Sequence, residues 1–438
     1  MLLLYGNFKK RQKRGHDMKT AGIIAEYNPF HNGHRYQMEQ ARELTDADYI
    51  ITAMSGDFVQ RGTPAILDKH TRAKAALLSG SDLVIELPVT AACASAEYFA
   101  VSGVELLGKA GADVICYGCE TQNEELMAAL VFALTEESDC FFHMVSDALK
   151  KGCNYPQARQ EALCEFLYTW DREEIADFLS SPNNILALEY EKAIAGWNKT
   201  HDRKLCGCAI PRAGEGYYST DVHAEFISAT AVRHSAFAVR APFLLYPRLW
   251  SRVPYSSLMS LVNARRRGQL ADADAFSGVL YERLLSLQES GYEKFADCTP
   301  ALSAKIQNEL WQYLGFRSFA MLLKSRDVTY TRVCRVLMHI LLGITKDDYA
   351  RLQGGNGILY LRILGFKKEA SPLLSSVSQK APVPLVTKVA DASKILDSDA
   401  LQLFKKDLYA ADLYRGIISV QCNEVLANEY TTALVIIP

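Results

Sequence analysis

Of the 438 residues, 49% are hydrophobic and 22% charged, and 48 Lys and Arg stand against 50 Asp and Glu for a formal net charge of −2. This is the composition of a globular chain long enough for two or three domains. A charge so near zero does not advertise nucleic-acid binding and does not exclude it, because a basic face can be balanced by acidic surface elsewhere; no apolar run approaches the roughly 18 residues of a membrane span.

The chain opens on Leu2 to Tyr5, a short apolar patch, followed by Lys9, Lys10, Arg11, Lys13 and Arg14. A secretory signal has its charges first and a longer apolar run second. Residues 1–17 are therefore expected to be a disordered tail or an over-extended start, with Met18 as the natural first residue. Residues 21–27 are strand-like and residues 33–44 helical. Tyr49 to Ala53 reads as a second strand. A loop, Ser55 to Pro64 with Gln60-Arg61-Gly62 inside it, precedes a helix from about Leu67 to Leu78. Asp82 to Leu87 is a third strand, Ser95 to Lys109 a helix, and Ala112 to Tyr117 a fourth strand. Strands alternating with helices at this spacing predict an α/β fold with a doubly wound parallel sheet. In such sheets ligands bind beyond the carboxyl ends of the strands. The His31-Asn32-Gly33-His34 turn, the Gln60-Arg61-Gly62 loop, Glu86 and Gly118 all fall at those ends.

From about 123 to 195 the periodicity is helical, with Ser181-Pro182-Asn183-Asn184 opening a helix. Leu205 to Ile210 is strand-like and leads to Arg212. Ile227-Ser228-Ala229-Thr230-Ala231-Val232-Arg233 opens another helix, capped by Ser228 or Thr230. The remainder is mostly helical. Eleven cysteines without a framework indicate reduced thiols in a cytoplasmic protein. Cys116-Tyr117-Gly118-Cys119 and Cys206-Gly207-Cys208 lack a second pair at zinc-finger spacing.

The chemistry concentrates at His31-Asn32-Gly33-His34. A helix N-terminus carries free backbone N–H groups and a partial positive charge, so it attracts phosphate. Gly33 lets a ligand approach the backbone. His31 and His34 lie on one side of the first turn, where both can donate to an α-phosphate as charge develops. The alternatives are a zinc pair and two surface histidines. The HExxH spacing of zinc proteases is absent.

These residues resemble the HxGH nucleotidyltransferase superfamily, and Ile227 to Arg233 resembles its second motif, whose Ser/Thr and Arg contact the departing phosphates. Glu26 to His34, Gly56 to Pro64, Ser181 to Leu186, Tyr330-Thr331-Arg332 and Leu337-Met338-His339-Ile340-Leu341-Leu342 together resemble the bacterial tRNA(Met) cytidine acetate ligase family. The resemblance runs from Met18 to the C-terminus. Thr63 stands where that family is expected to carry an acidic residue, and His70 where it carries an aromatic. The resemblance implies a nucleotidyltransferase domain followed by largely α-helical domains. It implies that acetate attacks ATP to give acetyl-adenylate, which then acetylates N4 of the wobble cytidine of elongator tRNA(Met). His31, His34 and Arg233 would be catalytic. ATP would lie along Ile24, Ala25, Glu26, Tyr27, Asn28, Pro29, Phe30, His31, Asn32, Gly33, His34, Arg35, Tyr36 and Gln37. Further ATP contacts would come from Gly118, Asn183 or Asn184, Arg212, Ser228 and Thr230. Mg2+ would accompany ATP with no metal held by protein side chains.

Basic residues that suit tRNA phosphates are Arg61, Lys69, Arg72, the Arg265-Arg266-Arg267 run, Arg332 and Arg335. Lys69 and Arg72 could meet either triphosphate or tRNA, with a solvated basic face as the other reading; for the arginines of the helical half the other reading is ordinary helix surface and core. The expected organisation is an ATP-binding domain over 18–239 with a helical insertion at about 123–200, a helical domain over 240–330 and a C-terminal helical domain over 331–438. No membrane association and no obligate protein partner is expected. The rival functions are a small-molecule adenylyltransferase of the same superfamily and a nucleotide-sensing RNA-binding protein without turnover.

Overall fold

The computed structural model describes residues 18–121, 123–135, 139–153, 155–212, 227–353 and 357–438. The expectation for residues 1–17 lies outside them.

Five strands form the parallel part of the sheet. β1 (Thr20–Ala25) is flanked by β2 (Tyr49–Ser55); a hairpin of β3 (Phe58–Val59) and β4 (Thr63–Pro64) follows, then β5 (Leu83–Leu87), β6 (Val114–Cys119) and β7 (Cys206–Pro211). Their spatial order is β5-β2-β1-β6-β7. These strands carry near-continuous apolar runs because helices cover both sheet faces. Ala21 and Ile23 of β1 pack with Met38 and Ala41 of helix Asn32–Thr45 and Ala73 and Leu77 of helix Lys69–Leu78. Ile24 packs on the opposite face with Val104 and Leu107 of helix Ala96–Lys109. The direction of winding reverses between β1 and β6, so the crevice lies above those two strands.

The Gln60-Arg61-Gly62 loop is the turn of the β3–β4 hairpin. Gly62 has φ +69°, and a side chain there would strike the Arg335 backbone of helix Tyr330–Leu342. That contact demands glycine twice over, for conformation and for space.

The C-terminal segment is not a separate helical unit. β8 (Leu361–Lys367) pairs antiparallel with β5 on the outer edge of the sheet, and β9 (Leu385–Val386) and β10 (Val435–Ile437) pair parallel with β8. The last hundred residues therefore complete the nucleotide-domain sheet. The expected helices between 240 and 353 are present, from Tyr255–Arg267 to Lys346–Gln353. His339 anchors them: its ring nitrogens lie 2.9 Å from the Ala296 carbonyl and 2.7 Å from the Cys93 carbonyl at the sheet's edge.

Candidate active site

β1 delivers the chain into a tight corner, Glu26 to Phe30, before the helix Asn32–Thr45 begins. Tyr27 takes φ +46° and the Asn28–Pro29 bond is cis. The corner is held by packing. Tyr27 and Phe30 are each 1% exposed, with ring centroids 4.7 Å apart, and Tyr27 also lies 4.9 Å from His34. Asn28 Oδ1 accepts from the Ile66 backbone at 2.8 Å. Glu26 Oε1 accepts from the Gln60 backbone at 3.0 Å. Two more residues of the expected ATP segment act as structure: Ile24 is in the core and Arg35 pairs outward with Glu39 at 3.5 Å.

His31 is the helix N-cap. Its Nδ1 accepts from the Gly33 backbone at 3.1 Å, while its own N–H donates to His34 Nδ1 at 3.2 Å. The two rings stack at 3.7 Å. With both Nδ1 atoms accepting, both protons sit on Nε2. Burial, then Arg212 and Arg233, push the His31 pKa down to about 3. Burial, then His31 and Arg212, hold His34 well below its ordinary value. Both imidazoles are therefore neutral donors at neutral pH.

This geometry alters the expectation about the helix end. The Gly33 amide is bonded to His31, and the Asn32 amide to the Arg252 carbonyl at 3.1 Å. The imidazole Nε2 groups, rather than these amides, are the donors the turn offers. Gly33 has its own reason as well: a Cβ there would lie 2.9 Å from His31 Cε1.

Arg233 arches over the corner. It donates to the Asn28 carbonyl at 2.6 Å and to Thr230 Oγ1 at 3.0 Å. Of the two candidate caps, Ser228 caps helix Ala229–Ala238, accepting from the Ala231 backbone at 3.1 Å. Arg212 follows β7, and a Cβ at Gly118 would lie 3.3 Å from its Cγ. Asn184 and Asn183 separate cleanly. Asn184 is buried and its Oδ1 accepts from the Glu120 and Thr121 backbones at 2.9 and 3.2 Å, which fixes the loop after β6. Asn183 donates to Glu120 Oε1 at 2.5 Å near the surface.

The proposed tRNA residues divide. Lys69 and Arg72 are 2% and 1% exposed and cannot meet a polyanion. Lys69 Nζ lies 2.8 Å from Glu86 and 3.0 Å from Glu429. Burial works against that ammonium, yet Glu86 and Glu429 outweigh it and hold its pKa above the ordinary range. Arg72 donates to the carbonyls of Leu67, Glu26, Ser55 and Gly56. Arg332 and Arg335 grip Asp297, through its carbonyl at 3.2 Å and its carboxylate at 3.2 Å. Arg265 is half-buried and holds the Val239 carbonyl at 2.9 Å. Arg266 and Arg267 are exposed at a cleft of about 540 Å³ beside His70, Lys74 and Arg415. Arg61 is half-buried at the hairpin tip. Cys116 of the CxxC and Cys208 of the CxC meet as cross-strand neighbours on β6 and β7. Among the described residues no three His, Cys, Asp or Glu side chains are grouped to hold a metal ion.

Glu429 escaped the sequence reading, since no local pattern links it to Lys69 or to His70, whose Nε2 it meets at 3.0 Å. The Ser251–Arg252 turn that binds Asn32 also escaped it.

Residues 18–430 match the HIGH Nucleotidyl Transferase family. The chain is 32% identical over 422 residues to a tRNA(Met) cytidine acetate ligase of Acetivibrio thermocellus, covering 96% of this chain and all of that protein. It belongs to the tRNA(Met) cytidine acetate ligase family. A second member, from Caldanaerobacter subterraneus subsp. tengcongensis, is 36% identical over 405 residues, 91% of this chain and 95% of that protein. The crystal structure of apo Thermotoga maritima TmcAL superposes with a TM-score of 0.87 at 28% identity, covering 96% of this chain and all of that one. The same enzyme bound with alpha-thio ATP gives 0.85 at 28% identity over the same shares. The chain is thus a ligase built on an HxGH nucleotidyltransferase domain.

Proposed function

We propose that this ligase activates acetate with ATP and transfers the acetyl group to N4 of the wobble cytidine of elongator tRNA(Met). The observation that carries the reading is the pair of neutral imidazoles, each with Nδ1 bonded to backbone and Nε2–H left to donate, flanked by Arg212 and Arg233. Acetate oxygen bonds to the α-phosphorus as the bond to the bridging oxygen breaks and pyrophosphate departs. Negative charge grows on the α-phosphate oxygens, where His31 and His34 donate, and on the leaving pyrophosphate, which Arg233 and Arg212 suit.

In the second step the cytidine N4 attacks the acetyl carbonyl, loses a proton, and AMP leaves. An anticodon-loop base is already largely unpaired, so presenting it costs little. Ser228 and Thr230 sit at the helix carrying Arg233 and suit the same phosphates. Asn183 is the better candidate of its pair for ATP, since the Asn184 amide is committed to the β6 loop. Mg2+ would enter on the triphosphate oxygens. The reaction belongs in the cytoplasm with its tRNA, and among the described residues no helix is long and apolar enough to cross a membrane.

ATP–pyrophosphate exchange tests the first step. Exchange that depends on acetate supports the reading. Exchange driven instead by another acceptor indicates a small-molecule adenylyltransferase, and none at all with intact ATP binding indicates a sensor without turnover.

A further inference from the structure

Beside the two histidines lies a stretch of chain with no carboxylate. From Ile227 to Ala271 there is no Asp or Glu, while Arg240, Arg248, Arg252 and the Arg265–Arg267 run all fall inside it. Other acid-free stretches, such as 328–346 and 370–390, are less than half as long, so the chain's near-neutral total conceals a segregated basic segment. Segregation of this kind is the electrostatic footprint of a polyanion.

The same segment exposes aromatic rings. Trp250 and Tyr255 are each 63% exposed, and their rings meet edge to face at 6.2 Å. Tyr246 backs Trp250 at 6.4 Å, with its hydroxyl against Met259 Sδ at 2.9 Å. Below them Leu245, Leu249 and Val253 are buried against Ile66, Leu67 and Val232. The rings therefore stand on a packed base, which they share with the helix bearing Arg233. That base is bolted to the reactive turn. Asn32 donates its backbone N–H to the Arg252 carbonyl at 3.1 Å and its side-chain amide to the Ser251 carbonyl at 2.7 Å. Only Ser251 separates Trp250 from Arg252, so its Cα lies at most about 7 Å along the chain from that anchor.

We infer that Trp250 and Tyr255, with Arg240, Arg248 and Arg252 of the same segment, form a stacking platform that holds an unpaired nucleobase of the acceptor RNA next to the acyl-adenylate site. This rests on the ligase reading above. Exposed rings give a base a π-face to stack on, and the arginines take the flanking phosphates. Arginine without carboxylate favours nucleic acid over a protein partner, whose own surface mixes both signs.

The test uses the full-length protein and an anticodon stem-loop RNA of elongator tRNA(Met). Trp250→Ala with Tyr255→Ala should weaken stem-loop binding roughly 5- to 150-fold, the span carried by base–aromatic stacking. The slope of log affinity against log salt should stay as in wild type, because the rings displace no counterions. Acetate-dependent pyrophosphate exchange and its KM for ATP should be unchanged, and Trp250→Phe should restore most of the binding. Unaltered affinity overturns the inference. A flattened salt slope shifts the effect to disturbed arginines, a raised KM for ATP assigns the rings to adenine, and an altered sedimentation coefficient assigns them to contact between copies; each also overturns it. Failure of the wild-type protein to exchange pyrophosphate with acetate sinks the ligase reading instead, and the stem-loop measurement still decides the platform.

Discussion

The proton on each imidazole of the His31–His34 turn is placed by what its other nitrogen does. Both Nδ1 atoms accept from backbone N–H groups, so both Nε2 atoms must donate. Replacing His31 or His34 with Ala should lower acetate-dependent pyrophosphate exchange by roughly 100- to 1000-fold, the loss seen when a donor to a developing oxyanion is removed. Near-normal exchange in both variants would place the chemistry elsewhere. The same burial makes a prediction about pH. His31 titrates near 6.5 when exposed and near 3 in the fold. Between those values the unfolded chain binds a proton that the folded chain does not, so stability falls as pH drops below about 6.5. At about 1.36 kcal/mol per unit, His31 alone removes about 2 kcal/mol by pH 5. Asp57, pushed up to about 6 chiefly by burial, acts with the opposite sign. His31→Asn isolates the histidine, since Asn also caps helices. Urea denaturation near pH 7.5 and near pH 5 should show wild type losing about 2 kcal/mol more than the variant. Equal losses in both proteins contradict the assignment. The two histidines and the glycine at a helix start were legible in the sequence, and the structure brings them together as expected. What was not legible is that Asn32 and Gly33 have their amides occupied, because one partner, Arg252, lies more than two hundred residues away.

At the scale of elements, helix Lys69–Leu78 shows where periodicity stops informing. Lys69 and Arg72 are three apart and do share a face, but that face turns inward. Spacing reports which residues point together, and not whether they point to solvent or to a partner supplied by β5 and by the C-terminal segment. Glu429 is held well below the usual carboxylate range; burial opposes this, and Lys69 and His70 overcome it. Lys69→Met leaves Glu86 and Glu429 as facing buried carboxylates. It should cost about 3–5 kcal/mol of stability while leaving the salt dependence of tRNA binding untouched. Arg266→Gln with Arg267→Gln should do the reverse, lowering that slope by as much as about 2 with little loss of stability. A stable Lys69→Met protein with weakened tRNA binding would restore Lys69 as a contact.

At the scale of the whole molecule, the first and last parts of the chain build one sheet. The five parallel strands were readable because helical segments separate each from the next along the chain. β8 and β10 were not, because β8 is an isolated apolar run inside a helical region and β10 is three residues long. β8's partner on the sheet, β5, is nearly three hundred residues earlier. A fragment of residues 18–330 therefore leaves the β5 edge unpaired and the Lys69–Glu86 pair without Glu429. It should be insoluble, or show less amide exchange protection in β2 and β5 than the full chain does in the same measurement. A soluble fragment with full pyrophosphate exchange would separate the two parts after all.

The decisive measurement incubates full-length protein with ATP, labelled acetate and total bacterial tRNA. Label is expected on N4 of a single cytidine, in the anticodon of elongator tRNA(Met), with AMP and pyrophosphate released. Label transferred from acetyl-coenzyme A without ATP, or spread over many tRNAs, would contradict the proposed function.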